Sequence, residues 1–276
     1  MRAFARALVP FATPQTVRPL ERDFLDRPSA STPTAGQPSI SRTAAEAETR
    51  IEEAAPEPAA EASAIRAIAP LPCAPGASPF HIKGMSYRGL LRLIDKVVPG
   101  GLDAFCAAVS DPRLSAFVRQ PFLASARYDI LPFLPIFATL ARIVDVPFER
   151  FVREAAAAQA RYDAHTVFKA MWSNATVEKI AVRAGRFGAQ YYDFGEFEGA
   201  SPEPGVLLLR HAELPAYLYP WYGPMHVAYT EECLRMLGCV DVTSAPRGVV
   251  ACGAREGFSL VSIETELRWR SGEAEA

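Results

Sequence analysis

The sequence predicts an α+β domain in which an N-terminal helical bundle packs on a small antiparallel sheet, with one helix intervening between the strands. Apolar residues recur at helical spacing through most of Tyr87–Tyr191. After Gly195 apolar and polar residues alternate, which is typical of strands. One further helical pattern, Pro220–Leu237, interrupts the strands. Because helices and strands come in blocks, the pattern favours an antiparallel sheet over a parallel nucleotide-binding fold.

Residues 1–78 are expected to form a disordered arm ahead of a single α+β domain over residues 79–272. The arm is rich in Ala, Pro, Ser, Thr and Glu, and its prolines interrupt any helix. Large apolar residues are too sparse there to offset an ordering entropy of ~1–2 kcal/mol per residue. The remainder has the length of an ordinary domain.

The first predicted helices are short and are separated by proline and glycine. Apolar residues at helical spacing predict a helix over Tyr87–Val97, which Pro99–Gly101 ends. A second helix is predicted over Leu102–Val109. Asp111 is the expected N-cap of a third helix, because Pro112 suits the first helical position.

The next predicted helices supply the core. Leu131–Val144 is nearly all apolar, as in a central helix that is buried on most faces, with Pro132 in or near its first turn. Another long helix is predicted to begin at Asp145–Pro147. Asn174 is the expected N-cap of a helix over Ala175–Tyr191.

The predicted strands begin with a hairpin. Phe194–Gly199 and Val206–His211 are separated by a turn sequence rich in proline and glycine. Further strands are predicted after the intervening helix, over Val240–Ser244, Gly248–Gly253 and Phe258–Trp269. The last of these alternates most regularly.

Composition excludes several classes of protein. The chain has 276 residues, of which 50% are hydrophobic and 22% are charged, as in a globular protein. Its formal charge of −2 argues against nucleic-acid binding, which needs a basic face. No apolar run reaches the roughly 18 residues of a membrane span. An odd cysteine count without a Cys-x-x-Cys pair predicts mostly buried thiols in a reducing, cytoplasmic compartment. The cysteines are Cys73, Cys106, Cys233, Cys239 and Cys252.

The densest aromatic cluster lies where the chain leaves the first hairpin and enters the intervening helix. Aromatic walls with a few polar tips are typical of small-molecule pockets, although aromatic residues also simply anchor a helix. We expect the cluster to border an apolar cavity between helices and sheet, with Tyr192 nearby and His226 orienting a ligand. Its members are Tyr217, Tyr219, Trp221, Tyr222 and His226.

The segment Tyr191–Asp193 has two interpretations. Its side chains could line a ligand pocket where the helices meet the sheet. Alternatively, the tyrosine hydroxyls are satisfied at a helix end while Asp193 caps the turn, and the residue types favour this second interpretation.

Three stretches carry a family resemblance. They are Tyr128–Phe133, in which a tyrosine precedes a proline-led buried helix; Arg183–Gly195, with its aromatic-aromatic-Asp turn; and the closing helix–strand module, which ends in Arg-Trp. From about Phe80 to Arg270 the chain resembles a myxobacterial family that is distantly similar to the four-vinyl-reductase domain, the haem-nitric-oxide-binding domain and the TRAPP trafficking subunits. None of these motifs is a catalytic signature.

The resemblance has consequences for metal and haem binding. Four-vinyl-reductase domains commonly carry cysteines around the final hairpin, but here only Cys252 matches, and Ser259 and Leu260 occupy the second position. A metal or redox role for that hairpin is therefore not expected. In the haem-binding relatives a helix histidine ligates iron, which would implicate His165. The Tyr-x-Ser-x-Arg element that holds haem there is not evident, so His165 is interpreted as a packing residue.

The leading functional hypothesis is a non-enzymatic, cytoplasmic ligand-sensing or regulatory scaffold domain, with no resident cofactor or metal. No nucleophile elbow, phosphate loop, dinucleotide-binding loop or zinc-protease motif occurs in the sequence. One alternative is a haem-dependent or other cofactor-dependent sensor or enzyme that uses the same pocket. The other is a protein–protein interaction module. The expected partners are a small apolar ligand and a protein partner or second copy of the chain.

Overall fold

The computed structural model describes residues 70–166, 169–172, 175–179 and 188–271 of the chain. Most of the expected arm, and the centre of the helix predicted over Ala175–Tyr191, lie outside these residues. Within them the protein combines helices with antiparallel sheets, so the predicted α+β class is confirmed. None of the described helices is long and apolar enough to cross a membrane.

The elements follow the chain in this order. The helices of the described residues are α1 (Gly84–Val97), α2 (Gly101–Ala108), α3 (Pro112–Val118), α4 (Phe133–Ile143), α5 (Phe148–His165), α6 (Lys169–Trp172) and α7 (Tyr219–Met236). The strands are β1 (His81–Lys83), β2 (Arg127–Asp129), β3 (Glu196–Ala200), β4 (Val206–Pro215), β5 (Cys239–Arg255) and β6 (Phe258–Ser271).

Two predicted helices begin close to the residues that the sequence indicated, and a third begins earlier. Asp111 caps α3, because its carboxylate accepts the backbone N–H of Arg113 at 2.9 Å. Helix α4 begins after Pro132 and is buried along most of its length, as expected of a central helix. Helix α1 begins earlier than predicted, at Gly84. A side chain there would overlap the carbonyl of Leu123, so this close approach of two backbones needs glycine.

The main sheet is antiparallel, with strand order β3-β4-β6-β5. The predicted hairpin is confirmed as β3 and β4. The prediction of two separate strands over Val240–Ser244 and Gly248–Gly253 was wrong, because both segments belong to the single strand β5. Pro246 does not end that strand. The register shifts between Pro246 and Gly248, and β5 lies at the sheet edge, where a missing backbone donor costs little.

Residues just before position 79 contact the domain that follows, while the predicted boundary itself stays a prediction. Ser78 is buried, and its hydroxyl donates to the carboxylate of Asp129 at 2.5 Å. The same carboxylate accepts the backbone N–H of Gly76 at 2.9 Å and that of Leu131 at 2.9 Å. Because a buried carboxylate needs such donors, these contacts tie the segment just before β1 to the helical core.

A second, two-stranded sheet joins β1 and β2. No strand was predicted at either segment, because strands this short show no period. This sheet also reaches toward the main sheet. Ile82 forms an isolated bridge with Tyr192, and Asp193 accepts the backbone N–H of His81 at 2.8 Å. These two contacts hold β1 against the turn that precedes β3.

Candidate functional site

Helix α7 carries four of the predicted site residues, and its helical repeat turns them toward different surroundings. Tyr222 and His226 are four residues apart and face the strands β3 and β4 through a layer of aromatic rings. Trp221 faces α4. Tyr219 faces an open cleft, together with Gly223. A cluster that is continuous in sequence is therefore divided among three sites in space.

The aromatic layer centres on a histidine that the sequence analysis did not single out. His211 of β4 stacks on Phe197 of β3 with ring centroids 3.8 Å apart, and Tyr222 meets it edge-on at 4.8 Å. Tyr222 in turn stacks on His226 at 5.5 Å. Tyr192 borders the layer, 6.0 Å from Tyr222. The structure thus brings together three predicted residues around His211.

The imidazole of His211 is fully buried and has no hydrogen-bond partner for either ring nitrogen among the described residues. Burial, and the neighbouring His226 to a lesser degree, lower the pKa of His211 to about 2. Burial also lowers the pKa of His226 to about 4. Gly195 makes room for the His211 ring, because a Cβ there would overlap its Nε2 atom. Both rings are therefore neutral near pH 7.

A buried carboxylate is contributed by α5. Asp163 is 2% exposed and accepts hydrogen bonds from Gln159 Nε2 at 2.7 Å and from the Tyr229 hydroxyl at 3.0 Å. Burial raises the pKa of Asp163 to about 6, and hydrogen bonds from Gln159, Tyr229 and Tyr191 limit the rise. This group consequently gains its proton just below neutral pH.

Trp221 and Tyr217 pack into the core. Trp221 is 3% exposed and lies between Phe133 and Phe137 of α4, with centroid distances of 5.0 and 5.7 Å. Tyr217 is half-buried, and burial followed by the charge of Asp129 raises its pKa above the ordinary value. Both residues anchor α7 and the turn before it. A role for either in ligand binding stays a prediction.

An open cleft of about 440 Å³ lies between the start of α7, the start of α5 and the strands β5 and β6. Its volume falls within the range of small-molecule sites. Of the predicted residues, Tyr219 lines it, and its ring lies against Gly223, where an added Cβ would come within 3.2 Å. The lining residues are Glu149, Arg153, Tyr219, Pro220, Gly223, Pro224, Val227, Ser244, Pro246, Gly248, Val249, Ile263, Glu264 and Thr265.

Two of these lining side chains are held in place by Glu231 of α7, which is 6% exposed. Arg153 Nη2 donates to both carboxylate oxygens, at 3.0 and 2.9 Å, and the Ser244 hydroxyl donates at 2.7 Å. Burial alone would raise the pKa of Glu231, but the bonds from Ser244 and Arg153 outweigh it and the pKa is lowered. The network joins α5, α7 and β5, so this wall of the cleft is preorganised.

The four histidines of the chain all lie in the described part. His165 is exposed at the end of α5, and His81 Nδ1 lies 2.7 Å from Asp193 Oδ2. His211 and His226 are packed among aromatic rings, and no histidine or cysteine lines the cleft. Haem is usually held by such a side chain facing an open cavity. The described residues do not fit a histidine-ligated or cysteine-ligated haem.

The cysteines are free thiols, and Cys106, Cys233 and Cys239 are buried, which agrees with the prediction of mostly buried thiols. Burial raises the pKa of both Cys233 and Cys239 above the ordinary value. Thiols of this kind are poor nucleophiles and poor metal ligands. Among the described residues no group of three or more metal-binding side chains occurs.

The described fold is shared with solved H-NOX domains, the haem-NO-binding domains named in the resemblance. A doubly substituted variant of Tt H-NOX superposes with a TM-score of 0.50 at 9% identity, covering 70% of this chain and 98% of that one. A singly substituted T. tengcongensis H-NOX gives 0.49 at 9% identity, with coverage of 69% and 99%. An oxygen-binding H-NOX domain related to soluble guanylate cyclases gives 0.48 at 9% identity, with coverage of 70% and 95%.

No protein-family profile matches the chain, and no curated protein sequence matches it. At 9% identity the likeness concerns the fold alone. This likeness confirms, for the fold alone, the resemblance to haem-nitric-oxide-binding domains that was seen in the sequence. Membership of the myxobacterial family stays a prediction.

Sequence reasoning missed His211, Asp163 and Glu231. His211 stands in an alternating strand, where its inward position could have been read from Leu207 and Leu209 on the same face.

Asp163 lies three residues from the buried Ala160, and Glu231 lies three residues from the buried Ala228 and Leu234. This spacing could have indicated that the two carboxylates face the packed side of their helices, although their partners depend on how α5 packs against α7.

Proposed function

We propose that this domain is a non-enzymatic small-molecule sensor on an H-NOX-like fold, and that the cleft beside Tyr219 is its ligand site. The observation that carries the proposal is the cleft itself. It combines the volume of a small-molecule site with apolar walls and a wall of side chains that Glu231 holds in fixed positions. The absence of catalytic motifs from the sequence agrees with a binding function.

Helix α7 supplies a physical route from the cleft to the core. Its residues Tyr219 and Gly223 touch the cleft, whereas Trp221 and Tyr222 are packed against α4 and the aromatic layer. A ligand that displaced the first turn of α7 would therefore disturb two packed interfaces at once. Close-packed interfaces tend to switch between arrangements rather than deform gradually, which suits a sensor.

A haem-dependent gas sensor is the second candidate, and the fold likeness to H-NOX domains favours it. The positions of the four histidines oppose it. A protein–protein interaction module is the third candidate, supported by the exposed valines Val249 and Val250 on the edge strand β5. The cytoplasmic location and a protein partner remain predictions from the sequence.

Native mass spectrometry of the full chain, purified from its own host, tests the proposal. We expect a retained small molecule that is lost in Val249→Trp, because an indole at that position would fill the cleft. Val250→Trp is the matched control, since Val250 does not line the cleft. Loss of the mass from both variants, or no bound mass at all, would leave the interaction module as the better explanation.

An absorption spectrum of the same preparation separates the haem candidate. A sensor without haem has no Soret band. A strong Soret band that His165→Ala abolishes would instead establish the gas-sensor alternative.

A further inference from the structure

We propose that a basic surface on the domain, formed by Lys83, Arg88, Leu123 and Arg127, docks an acidic protein segment that carries one apolar side chain. The cations of this basic surface lie on β1, α1 and β2, and the leucine lies on the loop before β2. None of the four residues lines the cleft, so this proposal is independent of the proposed ligand site.

Two of the cations face each other across the small sheet. Lys83 of β1 and Arg127 of β2 are directly opposite in the antiparallel register, so their side chains lie on the same face. Like charges in this arrangement repel each other and weaken the strand pair. The Arg127 guanidinium donates to the carbonyls of Ala189 and Tyr191, each at 3.4 Å. These neutral acceptors hold the side chain without cancelling its charge.

Helix α1 contributes the third cation. Arg88 is exposed and lies one turn after Gly84. The backbone of Gly84 lies against Leu123, since an added Cβ would overlap the carbonyl oxygen of that residue. Helical side chains lean toward the N-terminus of their helix. Arg88 is therefore directed over the turn that carries Gly84 and toward the Leu123 loop.

The positive charge of the basic surface is not compensated within the part of the chain that the structure describes. No described carboxylate forms an ion pair with any of the three cations. Carboxylates of neighbouring pairs are already engaged: Asp193 lies 2.7 Å from His81, and Asp103 lies 2.7 Å from Arg119. Because the formal charge of the whole chain is −2, the basic surface does not reflect a general excess of basic residues.

Leu123 is the apolar centre of the basic surface. It is 67% exposed, the largest value among the large apolar residues that the structure describes. Its backbone is nevertheless fixed, because its N–H donates to the Tyr128 hydroxyl at 2.9 Å and its carbonyl accepts the N–H of Ala126 at 3.2 Å. A fixed apolar side chain inside a rim of polar groups is the usual layout of a protein interface.

These features favour an acidic protein segment over other anionic partners. Its carboxylates would pair with the cations, and its apolar side chain would cover Leu123. Lipid surfaces are usually bound by clusters of about four to eight basic residues, and the basic surface has fewer. Nucleic acids require a broader basic face, which a chain with a formal charge of −2 does not supply.

The test is a fluorescence-anisotropy titration of the full chain with three short labelled peptides. The first has glutamates on both sides of a central leucine. The second replaces the glutamates with glutamines, and the third replaces the leucine with serine. We expect the first peptide to bind roughly tenfold more tightly than the second, because several exposed ion pairs act together. It should also bind more tightly than the third. Raising the salt concentration from about 0.05 M to about 0.5 M should weaken its binding by screening these pairs.

Variants of the full chain show whether the basic surface is responsible. Arg88→Gln should weaken binding of the acidic peptide by about two- to fivefold, the range for an exposed ion pair, and should leave the glutamine peptide unchanged. Leu123→Ser should weaken both peptides that carry leucine. Both side chains are exposed, so these changes leave the core intact. Arg247→Gln on β5 is the matched control, since that arginine is half-exposed and does not belong to the basic surface.

Carbodiimide coupling of the bound acidic peptide locates the site, because it joins a carboxylate to a lysine amine through an amide bond. The lysines of the chain are Lys83, Lys96, Lys169 and Lys179. We expect Lys83 to carry most of the peptide, and Lys96, exposed at the other end of α1, is the internal control.

Three results would overturn the proposal. They are even labelling of the four lysines, equal binding of the acidic and glutamine peptides, and no binding of any peptide. Vesicles of equal parts phosphatidylcholine and phosphatidylserine that bind the full chain and displace the acidic peptide would overturn the choice of a protein partner.

Discussion

The buried histidine at the centre of the aromatic layer should make the domain acid-sensitive, and His211→Leu should relieve part of that sensitivity. The pKa of His211 is about 2 in the folded protein, whereas an unfolded histidine has a pKa of about 6.5. The unfolded chain therefore binds an extra proton below pH 6.5. The folded state therefore loses stability as the pH falls below about 6.5. The stability that the neutral His211 contributes is fully present above that pH.

The magnitude follows from these two pKa values. At pH 5, about 1.5 units below the pKa of the unfolded histidine, the unfolded ring is almost fully protonated while the folded ring is still neutral. The free energy of unfolding is therefore about 2 kcal/mol lower at pH 5 than at pH 7.5. Leucine cannot take up the proton and leaves no ring nitrogen without a partner, so the variant should lose about 2 kcal/mol less than the wild type over this interval.

Urea unfolding at pH 7.5 and pH 5, followed by tryptophan fluorescence, measures both values. His165→Leu is the control for removing a histidine, because that side chain is exposed at the end of α5. Equal acid sensitivity of wild type and His211→Leu would refute the reasoning. It would show that the ring meets solvent, or an unseen hydrogen-bond partner, in the folded state.

Four further outcomes are expected. Phe137→Ala should lower the free energy of unfolding by ~3–5 kcal/mol, the usual cost of truncating a core phenylalanine; a small change would show that α4 is not central. Deleting residues 1–69 should leave the melting temperature nearly unchanged, whereas deleting residues 1–77 should lower it measurably, because Gly76 then no longer bonds to Asp129. Gly195→Ala should destabilise the domain by several kcal/mol in chemical unfolding, since its Cβ meets the His211 ring at a positive φ of 75°. Asp163→Asn should abolish the stability that the wild type gains as the pH falls from about 6 to about 4, because the folded-state pKa of Asp163 is raised; an unchanged pH slope would contradict its burial.

Much of the fold could be predicted because its signals are local. The repeat of apolar residues in Leu131–Val144 identifies α4, and the Asp-Pro pair before α3 marks a helix start. Strand β5 was predicted as two strands, and Pro246 lies between them. The proline is tolerated here by the register shift and by the edge position of the strand, and neither is visible in sequence.

The candidate site could be predicted in composition but not in arrangement. The aromatic residues between Tyr217 and His226 were recognised as a group. Their division between core, aromatic layer and cleft depends on the angle at which α7 lies on the sheet. His211 joins the layer from β4, and its contact with Tyr222 depends on how α7 lies against that strand after the short turn between them. The cleft brings together Glu149 of α5, Tyr219 of α7 and Ile263 of β6, which are far apart in the chain.

The sequence by itself determined the longer helices, the first hairpin and the last strand of the main sheet, the α+β class, and the lack of catalytic motifs. These properties depend on periodicity and on short motifs, which are written within a few turns of chain. The tertiary structure decided which aromatic residues are buried, where the cleft opens, and which carboxylates lie in water. Those outcomes depend on contacts between segments far apart in the chain, and a free energy of burial belongs to the packed pair rather than to either residue alone.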